Sequence, residues 1–89
     1  MKAIITVIGR DQVGIMHAVS GVLKDLSVNI EDVTQTIMQE YFTMLMLVRI
    51  DEEKTGFRQL QEKLEDLAKA MHLSIQIQKE EIFDVMHKI

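Results

Sequence analysis

Two segments of this chain are apolar on both faces that a β-strand presents, and no other feature constrains the fold as tightly. Ala3 to Ile8 is an apolar run interrupted only by Thr6, and it is β-branched from Ile4 onward. From Phe42 to Ile50 both alternate sets are largely apolar: Phe42, Met44, Met46, Val48 and Ile50 on one side, Leu45 and Leu47 on the other. Successive side chains of a strand point to opposite faces, so such strands belong in the middle of a sheet, covered on both sides. Two further segments are half polar. Ile30 to Met38 mixes Val33 and Ile37 with Thr34, Gln35 and Thr36, while Leu73, Ile75 and Ile77 alternate with Ser74, Gln76 and Gln78. These suit the edges of the same sheet.

Helical spacing fills the gaps. Ile15, Val19, Val22, Leu23 and Leu26 recur on one face, with Ser20, Lys24 and Asp25 opposite; later Phe57, Leu60, Leu64, Leu67, Ala68 and Met71 do the same. Such stripes mark amphipathic helices. Gly9 to Gln12 should break the first strand, with Asp11 as helix N-cap and a helix end near Ser27. Gln39-Glu40-Tyr41 makes a tight hairpin, and Thr55 caps the second helix after the charged loop Asp51 to Lys54. Right-handed crossovers then leave one simple arrangement for strand-helix-strand-strand-helix-strand. The expected fold is α+β: a ferredoxin-like βαββαβ sandwich with an antiparallel sheet in order 4-1-3-2. Residues 1–79 form this domain. Residues 80–89 should add a short C-terminal helix whose face of Ile82, Phe83, Met86 and Ile89 packs on the domain or on a dimer partner.

At 89 residues one domain is expected, and with 47% apolar but 4% aromatic residues, seven Met help to fill its core. No apolar run approaches the ~20 residues that span a bilayer, so no membrane partner is expected. Ten Lys and Arg against fourteen Asp and Glu give −4, which disfavours direct nucleic-acid binding. The absence of Cys removes disulfides and thiol chemistry, and suits a reducing compartment. The first residues read as a strand and not as a leader, so a cytoplasmic location is expected. His17, His72 and His87 have no partners at metal-ligand spacing, so no metal and no cofactor is expected.

A fold of this type hosts many functions, so side chains must discriminate. A metal carrier would need cysteines. An RNA reader would need exposed aromatics on the central strands. An acylphosphatase-like hydrolase needs an Arg beside an anion-binding loop, and Arg10 keeps that alternative open. An interaction module that binds no ligand is the other alternative.

The segment Gly9-Arg10-Asp11-Gln12-Val13-Gly14-Ile15, an amphipathic helix, and then Val28-Asn29-Ile30-Glu31-Asp32 together resemble the ACT domain. The Asp-x-x-Gly-Ile step and the Asn-Ile-Glu-Asp run are most similar to stand-alone ACT proteins near the regulator of the glycine-cleavage genes. The resemblance spans roughly residues 2 to 79. It implies a non-catalytic regulatory module, an amino-acid ligand and a homodimer, with a further protein partner possible. The ligand would sit between the first loop of one subunit and the second-strand start of the other. The implied ligand-binding residues are Asp11, Gly14, Ile15, Met16, Asn29 and Ile30. One departure stands out: many members carry Pro where this chain has Val13, and Val keeps an N–H that Pro lacks. The residue chemistry agrees with the resemblance. A helix N-terminus attracts a carboxylate, and Gly14 permits close approach. Asp11, a backbone carbonyl or the Asn29 amide oxygen can accept from an ammonium.

Overall fold

Residues 1–82 are described by the structure, a computed structural model, and they form two layers, a sheet and a pair of helices. The elements are β1 (Lys2–Arg10), α1 (Ile15–Asp25), β2 (Asn29–Met38), β3 (Tyr41–Arg49), α2 (Phe57–Met71) and β4 (Ser74–Lys79). All strand pairs are antiparallel and the sheet order is β2-β3-β1-β4, the 4-1-3-2 order expected. The shortest dimension, 20 Å, fits one sheet with one helix layer at about 10 Å spacing. Residues 80–82 are helical. Phe83, Met86 and Ile89, named above as part of a packing face, lie outside the described residues.

Register sorts the sheet into rows of opposite character. Ile77, Ile5, Met46 and Val33 lie side by side, and the neighbouring rows on that face carry Ala3 with Val48 and Val7 with Met44. Ile15, Val19 and Leu23 of α1 and Leu60 and Leu64 of α2 close over these rows, so the core lies between sheet and helices. The opposite face has no such cover among the described residues. There the rows read Gln78–Ile4–Leu47–Asp32, Gln76–Thr6–Leu45–Thr34 and Ser74–Ile8–Thr43–Thr36. Ile8 is 46% exposed and Leu45 38%. Among the described residues the helices therefore cover one face of the central strands, and the segment expected to cover the other lies mostly outside them.

Several boundaries differ from expectation, each for a local reason. Gly9 does not break β1, which continues to Arg10. A Cβ at Gly9 would fall 2.5 Å from the Leu73 side chain, so the glycine lets the chain enter β4 across β1. Asp11 is not the cap of α1; Gly14 is, at φ 90°, with no side-chain cap bond. Thr55 does not cap α2, which starts after Gly56. Its buried hydroxyl donates instead to the Leu26 carbonyl and ties the β3–α2 loop to the end of α1. The hairpin turn is Gln39-Glu40 alone, because Tyr41 already pairs with Met38; Gln39 takes φ 56°, where hairpins favour Gly or Asn.

Helix α1 stops without glycine. Ser27 adopts φ 57°, its N–H bonds Lys24 O at 3.1 Å, and the Val28 N–H bonds Leu23 O at 2.8 Å. These two bonds satisfy carbonyls that a helix end leaves unpaired. Gly21, by contrast, sits inside α1 with nothing within 4 Å of a Cβ built on it. Gly21→Ala should stabilise the protein by about 0.5–1 kcal/mol, because alanine loses less backbone entropy in a helix. Urea denaturation at matched protein concentration checks this; a loss of stability would mean that the position is covered by another chain.

Candidate functional site

The start of α1 leaves its first backbone N–H groups uncapped. The first N–H groups of any helix have no partner within it, and here neither a capping side chain nor an acid in the first turn satisfies them. Gly14 turns the chain at φ 90° with open space beside its Cα. One backbone and one side-chain hydrogen bond fix the approach to this turn: the Asp11 N–H donates to Glu40 O at 2.7 Å, and Gln12 Nε2 donates to Met71 O at 2.9 Å. The loop is thus tied to the β2–β3 hairpin on one side and to the end of α2 on the other.

The expected site residues divide into two groups. Asp11, Gly14, Ile15 and Met16 gather at the α1 start. Asp11 is exposed and Met16 is 38% exposed, but the Ile15 side chain is in the core, so Ile15 offers only its backbone to a ligand. Asn29 and Ile30 lie at the other end of the molecule. Asn29 shares a row with Arg49 and Lys2, whereas Arg10 shares one with Tyr41 and Met38. Eight residue steps along β1 at about 3.3 Å each separate these rows by roughly 26 Å. Asn29 therefore cannot serve the α1 start of its own subunit.

At the Asn29 end the structure brings together groups that sequence reading passed over. An open recess of ≈ 480 Å³ is lined by Asn29, Arg49, Met1, Ser27 and Ile50, and by Asp51 to Glu53. The Met1 ammonium donates to Ile50 O at 3.1 Å. Arg49 Nε bonds Glu31 Oε1 at 2.9 Å, and Lys2 Nζ lies 3.8 Å from the other oxygen of the same carboxylate. The acidic run reads from the sequence as a solvated loop, and Arg49 carries no signal there. Only strand register places them beside Asn29. Arg10, the residue that kept a hydrolase reading open, is largely exposed and lies 3.9 Å from Glu40. That pair leaves it facing an acid beside the loop.

Comparison with known proteins agrees with this architecture. The ACT domain family profile matches residues 2–78. The chain is 47% identical to a UPF0237 protein of Clostridium acetobutylicum over 89 residues, the full length of both. A solved ACT domain protein from Streptococcus pneumoniae superposes with a TM-score of 0.81 at 43% identity, covering 94% of each chain. A protein provisionally assigned as a glycine cleavage system transcriptional repressor superposes at 0.78, with 23% identity over 86% of this chain and 44% of that one. Likeness at that identity speaks to the fold alone. With the profile spanning nearly the whole chain and a full-length relative near half identity, this chain belongs to the ACT domain family.

Proposed function

We propose that this protein is a non-catalytic regulatory module that binds a small ligand, an amino acid, at the interface of a symmetric homodimer, and that it works in the cytoplasm by signalling to a protein partner. The observation that carries this reading is the separation of the two halves of the site to opposite ends of an open edge strand. β2 has β3 on one side only and leaves its other edge open along ten residues, with neither Pro nor Lys to blunt it, although the Val33 N–H donates to Asp32 Oδ1 at 2.9 Å. Pairing it with a second copy about a two-fold axis reverses its direction and brings opposite ends together.

The sequence of β2 suits that pairing. An axis at Thr34 sets Val33 against Gln35 and Asp32 against Thr36 of the second copy. β2 bulges between Ile30 and Asp32, so Glu31 is an extra residue. Beyond it Ile30 meets Ile37, and Asn29 meets Met38. Ile30 is 36% exposed and Ile37 54%, and the match covers both. No like charges fall directly opposite. Met38 lies beside the hairpin that holds the Asp11 loop, so each Asn29 faces the α1 start of the other subunit. A carboxylate would take the free N–H groups at Gly14 to Met16. The ammonium would take the Asn29 amide oxygen and the neighbouring acids.

A ligand as small as glycine gains at most about 7 kcal/mol, at roughly 1.5 kcal/mol per heavy atom. Affinity then falls between micromolar and millimolar, the range of a metabolite sensor. With a millimolar Kd, about 10 mM ligand adds roughly 1.4 kcal/mol of stability. That raises Tm by roughly 5–10 °C for a chain of this size. A thermal-shift panel of the common amino acids tests the proposal, and silence across the panel from a folded dimer refutes it. Asn29→Ala should weaken the responding ligand about tenfold or more through one lost charge-assisted hydrogen bond, with the dimer intact. Unchanged affinity in calorimetry would remove Asn29 from the site.

A further inference from the structure

We infer that the open face of the sheet is a docking surface for the chain's own C-terminal segment, residues 80–89. This does not rest on the ligand reading, because the face is separate from both the α1 start and the β2 edge. Its anatomy is that of a contact surface. Ile4, Leu47 and Leu45 form an apolar centre on the two middle strands. Ser74, Gln76 and Gln78 border it on the β4 side, and Asp32, Thr34 and Thr36 on the β2 side. Apolar centres with polar rims are usually covered. A shallow recess of ≈ 230 Å³ between Ile4, Leu45, Leu47 and Thr34 marks a place for a side chain.

The origin of the segment favours it over other occupants. It leaves β4 next to β1, and Glu80 and Glu81 line a recess with Met1 and Lys2, at the Lys2 corner of the open face. Ten residues of helix are about 15 Å long. Three strand spacings, the distance from β4 to β2, come to about 14 Å. The segment carries Ile82, Phe83, Met86 and Ile89 at helical spacing, enough to meet the apolar centre. Its charges also suit the face: the acids Glu80 and Glu81 begin beside Lys2, and Lys88 is opposite in sign to Asp32 on the β2 rim. Being tethered, it competes at an effective concentration that a free second chain reaches only near millimolar.

The chain has no cysteine, so single thiols report without background. Leu45→Cys should react with a disulfide reagent about tenfold more slowly in the full chain than in the chain also carrying Phe83→Asp and Met86→Asp. Circular dichroism verifies that both variants are folded. Equal rates would overturn the inference. Slow rates in both chains that rise on dilution would overturn it in favour of a second copy on the face. Leu45→Cys combined with Met86→Cys should give an intrachain disulfide on oxidation; an interchain product, or none, would also overturn it.

Discussion

Ile5→Ala should lower the unfolding free energy by about 2–5 kcal/mol, the range for truncating a fully buried aliphatic side chain. Ile5 is 0% exposed and sits where the core is closed on every side. Met46 and Ile77 flank it across the two neighbouring strands, and the helices cover it from above. The loss has two parts: transfer of the removed carbons and the cavity they leave. Neither can be relieved easily, because strand register holds its neighbours in place. For 89 residues, total stability should be roughly 4–13 kcal/mol. The variant therefore gives up a large share, and urea midpoints should fall by roughly 2 M at this size. Ile8→Ala on the same strand is the internal control. Ile8 is 46% exposed on the open face and should lose no more than about 1 kcal/mol. Equal losses at both positions would mean that the two faces of β1 are equally buried in solution.

The second large effect concerns assembly. Ile30→Lys together with Ile37→Lys should turn the dimer into a monomer at concentrations where the parent is fully dimeric. Both positions lie on the free edge of β2, and the two-fold pairing sets them against each other twice. The double variant replaces two apolar cross-strand contacts with two facing pairs of like charges. Directly opposed like charges destabilise, and truncation at well-packed interface positions often costs 1–2 kcal/mol each. Counted over both symmetry-related contacts, the cost is on the order of 3–5 kcal/mol, a hundred- to several-thousand-fold weaker association. Light scattering at about 10 µM reads the mass directly, and amino-acid binding should vanish with the dimer, because the proposed site draws Asn29 from the second subunit. A variant that keeps the parent's mass would exclude the β2 edge as the interface. A parent that is already monomeric would exclude the dimer itself.

The two designs probe surfaces of different legibility. The alternation in β3 identified Met44, Met46 and Val48 as one buried set, and the fully buried side chains bear that out. The half-polar pattern of β2 placed it at an edge, where all but one of its residues are exposed. Boundaries were harder to read. The α1 cap is Gly14 and not Asp11, and α2 ends at His72, at positive φ, without the glycine that usually signals a helix end. Where tertiary contacts and backbone bonds satisfy the helix ends, a residue can adopt the left-handed conformation at a cost of about 1–2 kcal/mol without a local marker. Gly9 gave the opposite error. A glycine that ordinarily signals a turn is needed here because Leu73 packs over it.

The candidate site divides along the same line. Gly14 was legible as an opening beside an amphipathic helix, because a glycine there has local meaning, although the cap was expected at Asp11. Arg49 and the Met1 ammonium had no local signal, since their neighbourhood with Asn29 arises only from strand register. By itself, the sequence determined the element order, the sheet order and which residues form the core, because hydrophobic periodicity and crossover handedness act within and between adjacent segments. Only the tertiary structure decided that both helices lie on one face of the sheet, and that Asn29 and the α1 start lie at opposite ends of one subunit. Both follow from the direction and register of paired strands, which join residues far apart in the chain.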